Sequence, residues 1–116
     1  MASAEYLQRG EALNYTNTGS STIDAGTVIE LTGRIAVTGC DIEPSQVGSI
    51  HMVGVFEIPK TGTSAIDQGQ TVYFDGTGIT DAADDGNSPA QSYTKAGYAA
   101  AAAGASATSI LVQIGG

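Results

Sequence analysis

Ser49-Ile50-His51-Met52-Val53-Gly54-Val55-Phe56-Glu57-Ile58 shows the clearest two-residue alternation in the chain. Side chains of a β-strand point to opposite faces in turn. Ile50, Met52, Gly54, Phe56 and Ile58 therefore share one face, and His51, Val53, Val55 and Glu57 the other. Apolar residues on both faces predict a strand covered on both sides, at least over Val53 and Val55. Gly54, in the middle of the run, predicts a bulge or a close backbone approach. Pro59 ends the ladder because it has no amide hydrogen to donate.

The flanking sequence repeats this signature in shorter pieces. β-like runs cover Ala12 to Thr16, Thr27 to Leu31, Arg34 to Thr38, Val47 to Ile58, Thr71 to Phe74, Tyr93 to Ala99 and Thr108 to Ile114. Sixteen glycines and many Thr, Ser and Asp residues punctuate them, as turns between strands require. Thr32-Gly33 reads as a tight turn joining two strands, and Asp75-Gly76 as a second hairpin turn ahead of Ile79. In the last run Ile110, Val112 and Ile114 alternate with Ser109, Leu111 and Gln113. Ala99 to Ala103 favours helix on propensity, but Gly104 limits it to a turn or a single helical turn. The expected fold is all-β, a small β-barrel or β-sandwich of about seven short strands with little helix. A length of 116 residues predicts one domain. Residues 1–9 are expected to form an N-terminal arm, and 10–116 a β-domain with an exposed acidic loop at 80–92.

Composition narrows the function. Four Lys and Arg stand against twelve Asp and Glu, for a net charge of −8, and Arg9, Arg34, Lys60 and Lys95 are scattered. Phosphate neutralisation needs several cations on one face, so no nucleic-acid partner and no anionic membrane is expected. The lone Cys40 forms no intrachain disulfide, which leaves stability to packing and suits folding in a cytosol. No leader-like N-terminus and no apolar stretch near 18 residues is present, so neither secretion by that route nor membrane insertion is expected. Only 14% of residues are charged, and so lean a surface suits a chain sequestered in an assembly.

The residues offer little to catalysis, and no enzyme activity or cofactor is expected. A phosphate loop of the G-x-x-x-x-G-K-[ST] kind needs a Gly-Lys pair, and the chain has none. G-x-S-x-G is also missing. His51 is the single histidine, and one His on a strand is more often packed or exposed than a base. Cys40 lies in a Gly39-Cys40-Asp41 turn, where an acidic neighbour disfavours a nucleophile. Asp81, Asp84 and Asp85 with Asn87 invite a calcium reading, but the spacing is not that of an EF-hand and no closing Glu follows. With no Trp to stack a sugar, glycoside chemistry gains no support either. Tyr15, Tyr73, Tyr93 and Tyr98 read as core residues of the sheets, whereas Tyr6 and Leu7 precede the first strand and read as anchors for a neighbouring subunit. The candidate interaction residues are thus Tyr6, Leu7, Asp81, Asp84 and Asp85, the last three because their polar loop is the place best exposed to contact something.

Gly48 to Lys60 closes on Gly-Val-Phe-Glu-Ile-Pro-Lys, which resembles the G-V-F-E-L-P-K signature of the DUF2190 capsid cement family of phages. Gly10 to Asn17 resembles that family's opening G-x-x-L-x-x-T strand, Ala25 to Val28 its S-G-x-x-V turn, and Ile35 to Thr38 its x-G-V-A-x strand. Ile66 to Asp75 is similar to I-x-x-G-x-x-V-Y-W-D, with Phe74 in place of the Trp. Ala96 to Ala99 and Gly104 to Thr108 resemble the closing strand pair. The likeness runs from about Gly10 to Ile114, although the segment between Val37 and Val47 is more polar here. Members have at times carried a recombinase-like name, which the missing phosphate loop and the acidic charge argue against.

The resemblance implies a structural decoration protein on the outer surface of a tailed-phage head, with the major capsid protein as partner and a homodimer or homotrimer as its own assembly. It would be made in the host cytoplasm and end in the virion. The competing expectation is a virion-displayed module that binds a host surface or a carbohydrate, through the Asp81 to Ser92 loop.

Overall fold

The computed structural model describes residues 10–86 and 91–115. Nine strands form among them, and no helix: β1 Ala12–Thr16, β2 Val28–Leu31, β3 Arg34–Thr38, β4 Val47–His51, β5 Gly54–Pro59, β6 Thr71–Phe74, β7 Ile79–Thr80, β8 Thr94–Ala99 and β9 Ser109–Ile114. They make two sheets, ordered β1-β4-β3-β2 and β5-β9-β8-β6-β7, with every pairing antiparallel. Neither sheet closes on itself, so of the two architectures expected the sandwich is the one found.

The run that opened the analysis is not one strand. It breaks at Met52 and Val53, and its halves join different sheets, β4 pairing with β1 and β3 and β5 pairing with β9. The parity read from the alternation survives the break, since Ile50 and Ile58 are both buried. Double-sided cover does not: Val53 is 48% and Val55 53% exposed. The run thus keeps its inward parity on both sides of the break, with no layer over its outward face at Val53 and Val55. Gly54 absorbs the change of direction at φ +140°, a conformation L side chains rarely adopt.

The two sheets repeat one topology. Apart from the short β7, the order β5-β9-β8-β6 reproduces β1-β4-β3-β2 strand for strand, each a Greek key in which the first strand lies beside the fourth. The strand entries repeat as well. Ile23, before β2, bridges Ile42, before β4, and Ile66, before β6, bridges Ala103, before β9. A tight turn follows each of these residues, closed by Gln46 N to Glu43 O at 3.0 Å, Gln70 N to Asp67 O at 3.1 Å and Ala107 N to Gly104 O at 3.1 Å in three of the four. Gly26, Ser45 and Gly69 occupy equivalent places three residues after Ile23, Ile42 and Ile66, all with positive φ. Ala103, expected in a turn or a single helical turn, is therefore a bridge residue.

Both expected hairpins form. Leu31 pairs with Arg34 across Thr32-Gly33, with Gly33 at φ +81°, and Phe74 pairs with Ile79 across the Asp75 turn. In that turn Asp75 Oδ1 accepts the amides of Thr77 and Gly78, both at 2.9 Å.

The core lies between β3 and the second sheet. Ile35 and Val37 of β3 join Ile58, Val72, Phe74, Ile79, Ala96, Ala99, Ile110, Val112 and Ile114 in one buried cluster, closed at its end by Ile66. Apart from Phe74 and the bridge residue Ile66, these are aliphatic side chains on the inward parity of short strands, the composition that transfer free energy favours in a core. The tyrosines stand elsewhere. Tyr15, Tyr73 and Tyr93 are half-buried and Tyr98 is 40% exposed, a correction to the core role expected for them. A phenol keeps its hydroxyl wet at a sheet margin more cheaply than it finds a partner inside.

Candidate interaction surfaces

The outward face of β5, β9 and β8 carries an apolar patch built by register alone. Val55 lies opposite Gln113, Gln113 opposite Tyr98, and Leu111, one inward residue away on β9, opposite Glu57. Directly opposed residues share a face, so Val55, Leu111 and Tyr98 surround Gln113 on one side of the sheet. All three are substantially exposed. Ser109 Oγ donates to Glu57 Oε2 at 3.1 Å, which places a carboxylate at the rim of the patch. Clustered exposed apolar side chains with polar groups among and around them are the composition of many protein-binding surfaces.

Most of the described part of the acidic loop is exposed, and backbone pairs organise it. Asp84 bridges Ser92, Asp85 N donates to Gln91 O at 3.1 Å, and Tyr93 N donates to Ala83 O at 2.9 Å, so the described parts of 80–92 form a short hairpin stem. Two of its carboxylates serve the backbone: Asp84 Oδ1 accepts Gly86 N at 2.9 Å, and Asp85 Oδ1 accepts Gln91 N at 3.1 Å. Asp81 is half-buried at the head of the stem. Among the described residues no group of three His, Cys, Asp or Glu side chains comes together as a metal site. The candidate anchors Tyr6 and Leu7 lie outside the described residues.

His51 and Cys40 stand near the bend of the first sheet. The His51 ring meets Phe56 at 5.8 Å between centroids, an aromatic contact that links β4 to β5 across the break. A Cβ at Gly39 would lie 2.9 Å from His51 Nε2, so glycine there makes room for the ring. Cys40 is exposed and free.

Sequence reasoning passed over Val55 and Leu111 as surface residues. Leu111 carried a signal, being a large apolar side chain on the parity of Ser109 and Gln113, whereas Val55 carried none, because its run read as doubly covered.

These geometries describe a sandwich with exposed apolar side chains on one face of its second sheet. The family model described as phage cement protein matches residues 7–114, nearly the whole chain. The chain belongs to the phage cement protein family. No curated protein and no solved structure matches it. Membership supports a structural role in a bacteriophage capsid. The match covers both Greek keys and all nine described strands, and the patch around Gln113 lies within it.

Proposed function

We propose that this chain binds the outer surface of a tailed-phage head and stabilises the lattice of its major capsid protein, and that it does so as a homo-oligomer. The family match over residues 7–114 carries the reading. The lean surface supports it, with 14% charged residues and exposed Val55, Leu111 and Tyr98 on one sheet face. Such a face gains more from burial against a partner than from water, at about 25 cal/mol per Å² of apolar area. A cement protein needs no chemistry beyond this: each copy spans neighbouring lattice subunits and adds contacts that resist expansion from within. On this reading it is made in the host cytoplasm and ends in the virion. Residues 1–9 are read as an arm reaching a neighbouring subunit, and 10–116 as one β-domain.

The test mixes the purified chain with expanded heads that lack it and images them by electron cryo-microscopy. Added density at fixed lattice positions is the expected result, and heads that stay bare would overturn the proposal. Leu111→Lys, on an exposed position opposite Glu57, should keep the fold and abolish the added density.

A further inference from the structure

Each sheet has two outer strands, and three of the four outer strands are blunted. β5 carries Glu57, turns at Gly54 and ends in Pro59. β7 has two residues, and Ile79 bridges Lys60 on its far side. β2 carries Glu30, whose Oε2 accepts the Thr94 hydroxyl at 3.0 Å. Such devices keep sheet edges from pairing with other chains. β1, Ala12-Leu13-Asn14-Tyr15-Thr16, has none of them: it carries no charge, no proline and no bulge, and four of its five residues are exposed.

The hydrogen-bond parity of β1 is set by its one neighbour. Met52 N donates to Glu11 O at 2.8 Å, and Asn17 N donates to Gln46 O at 3.0 Å. In an antiparallel ladder the residues whose amides and carbonyls face a given partner alternate. Residues 11, 13, 15 and 17 therefore address β4, and the backbone groups of Ala12, Asn14 and Thr16 point away from the sheet. Among the described residues those groups meet no partner.

We propose that β1 pairs with β1 of a second copy, antiparallel about a twofold axis through Asn14, joining two four-stranded sheets into one. The parity makes this register self-complementary. Asn14 meets Asn14 of the second copy and Ala12 meets Thr16, so each outward amide faces an outward carbonyl. Leu13 then meets Tyr15 in the non-hydrogen-bonded pairs, where side chains approach most closely, and the 39% exposed Leu13 is covered. The strand is neutral, and Glu11 falls opposite Asn17, so the chain's net charge of −8 places no like charges across the axis. An isologous contact of this kind closes at two copies. A five-residue ladder is small beside the roughly 800 Å² per partner of a standard interface, so the dimer is weak in dilute solution and fills at high local concentration. The inference is independent of the capsid reading, because its test uses the chain alone.

Sedimentation equilibrium of the full chain, over a concentration series, should show a monomer–dimer equilibrium on the 11.6 kDa protomer. Asn14→Pro deletes an outward amide and leaves the β4 ladder intact, and it should weaken association at least about tenfold. A second variant guards against misfolding of the first. Asn14→Cys in a Cys40→Ser background puts two thiols on the axis, at a Cα separation of about 5.5 Å that lies within disulfide reach. Mild oxidation should trap it as a covalent dimer much faster than Thr77→Cys in the same background. A monomer at every concentration, a closed trimer, association indifferent to Asn14→Pro, or equal trapping of the two cysteine variants would each overturn the proposal.

Discussion

Gly97 on β8 leaves no room for a side chain against Gln113 on β9: a Cβ built there would overlap the Gln113 carbonyl oxygen and lie 3.2 Å from the Ile114 Cα. Its φ of +142° is a conformation L side chains rarely adopt. The close approach is what brings β8 and β9 together at the centre of the second sheet, beneath the β3 residues of the core. Gly97→Ala must therefore push two backbones apart, and it should cost about 3 kcal/mol or more, or abolish folding. Urea unfolding of the variant decides it; a midpoint equal to wild type would show that β8 and β9 do not approach in this way. Gly54→Val, at φ +140° and with Phe56 Cε2 3.3 Å from the added Cβ, should act in the same direction where the chain changes sheets.

Asn17 is 2% exposed and closes the first Greek key with its side chain. Its Nδ2 donates to Ser21 O at 2.8 Å and Ile42 O at 2.9 Å, and its Oδ1 accepts Gly19 N at 2.9 Å. Asn17→Ala removes these three side-chain hydrogen bonds, although the Ile42 carbonyl keeps the Ile23 amide, with an expected loss of about 1–2 kcal/mol. Calorimetric melting measures it, and Asn17→Asp, which cannot donate through Nδ2, should be no less destabilised.

Lys60 is 92% removed from solvent and donates through Nζ to Gly62 O at 2.6 Å and, more weakly, to Ala105 O at 3.4 Å. The ammonium thus ties the end of β5 to the turn before β9. Lys60→Met keeps the length of the stem and loses these charge-assisted bonds, for an expected cost of about 1–3 kcal/mol. Equal denaturation midpoints for wild type and variant would refute the tie.

Burial alone would raise the Asp75 carboxyl pKa, but hydrogen bonds from the Thr61 hydroxyl and from the Gly78 and Thr77 amides outweigh it and hold the group below its ordinary 3.8. A carboxylate depressed in the folded state stabilises the fold above its unfolded pKa and loses that contribution as pH falls through the folded one. The stability difference between wild type and Asp75→Asn should therefore be constant at neutral pH and shrink below about pH 3.8. Chemical denaturation across that range checks the sign, and a difference that grows on acidification would contradict it.

Much of this architecture was legible beforehand because its signals are local. Thr32-Gly33 and Asp75-Gly76 announce hairpins through turn chemistry, and Ile110, Val112 and Ile114 announce a buried face through parity; all appear where expected. The repeated Greek key was not visible. Its recurring units, Ile23 to Gly26, Ile42 to Ser45, Ile66 to Gly69 and Ala103 to Ser106, share geometry more than residues, since each place needs only a small or apolar side chain and a turn-tolerant backbone.

The exposed apolar face was the least legible part. Tyr6 and Leu7 lie outside the described residues, and Asp84 and Asp85 accept backbone amides of their own stem. The apolar face lies on Val55, Leu111 and Tyr98, three strands that only the sheet order makes neighbours.

From the chain of residues alone follow the all-β class, the inward parity of Ile50 and Ile58, the two hairpins and the acidic, cation-poor surface, because each depends on near neighbours or on totals. Tertiary structure decided that Ser49 to Ile58 divides between two sheets, that Val53 and Val55 face outward, and that β1 has an open edge among the described residues. Period two records which side of a strand a residue occupies and carries no information about which strand lies beside it or whether another layer covers it; those depend on contacts far apart in the chain.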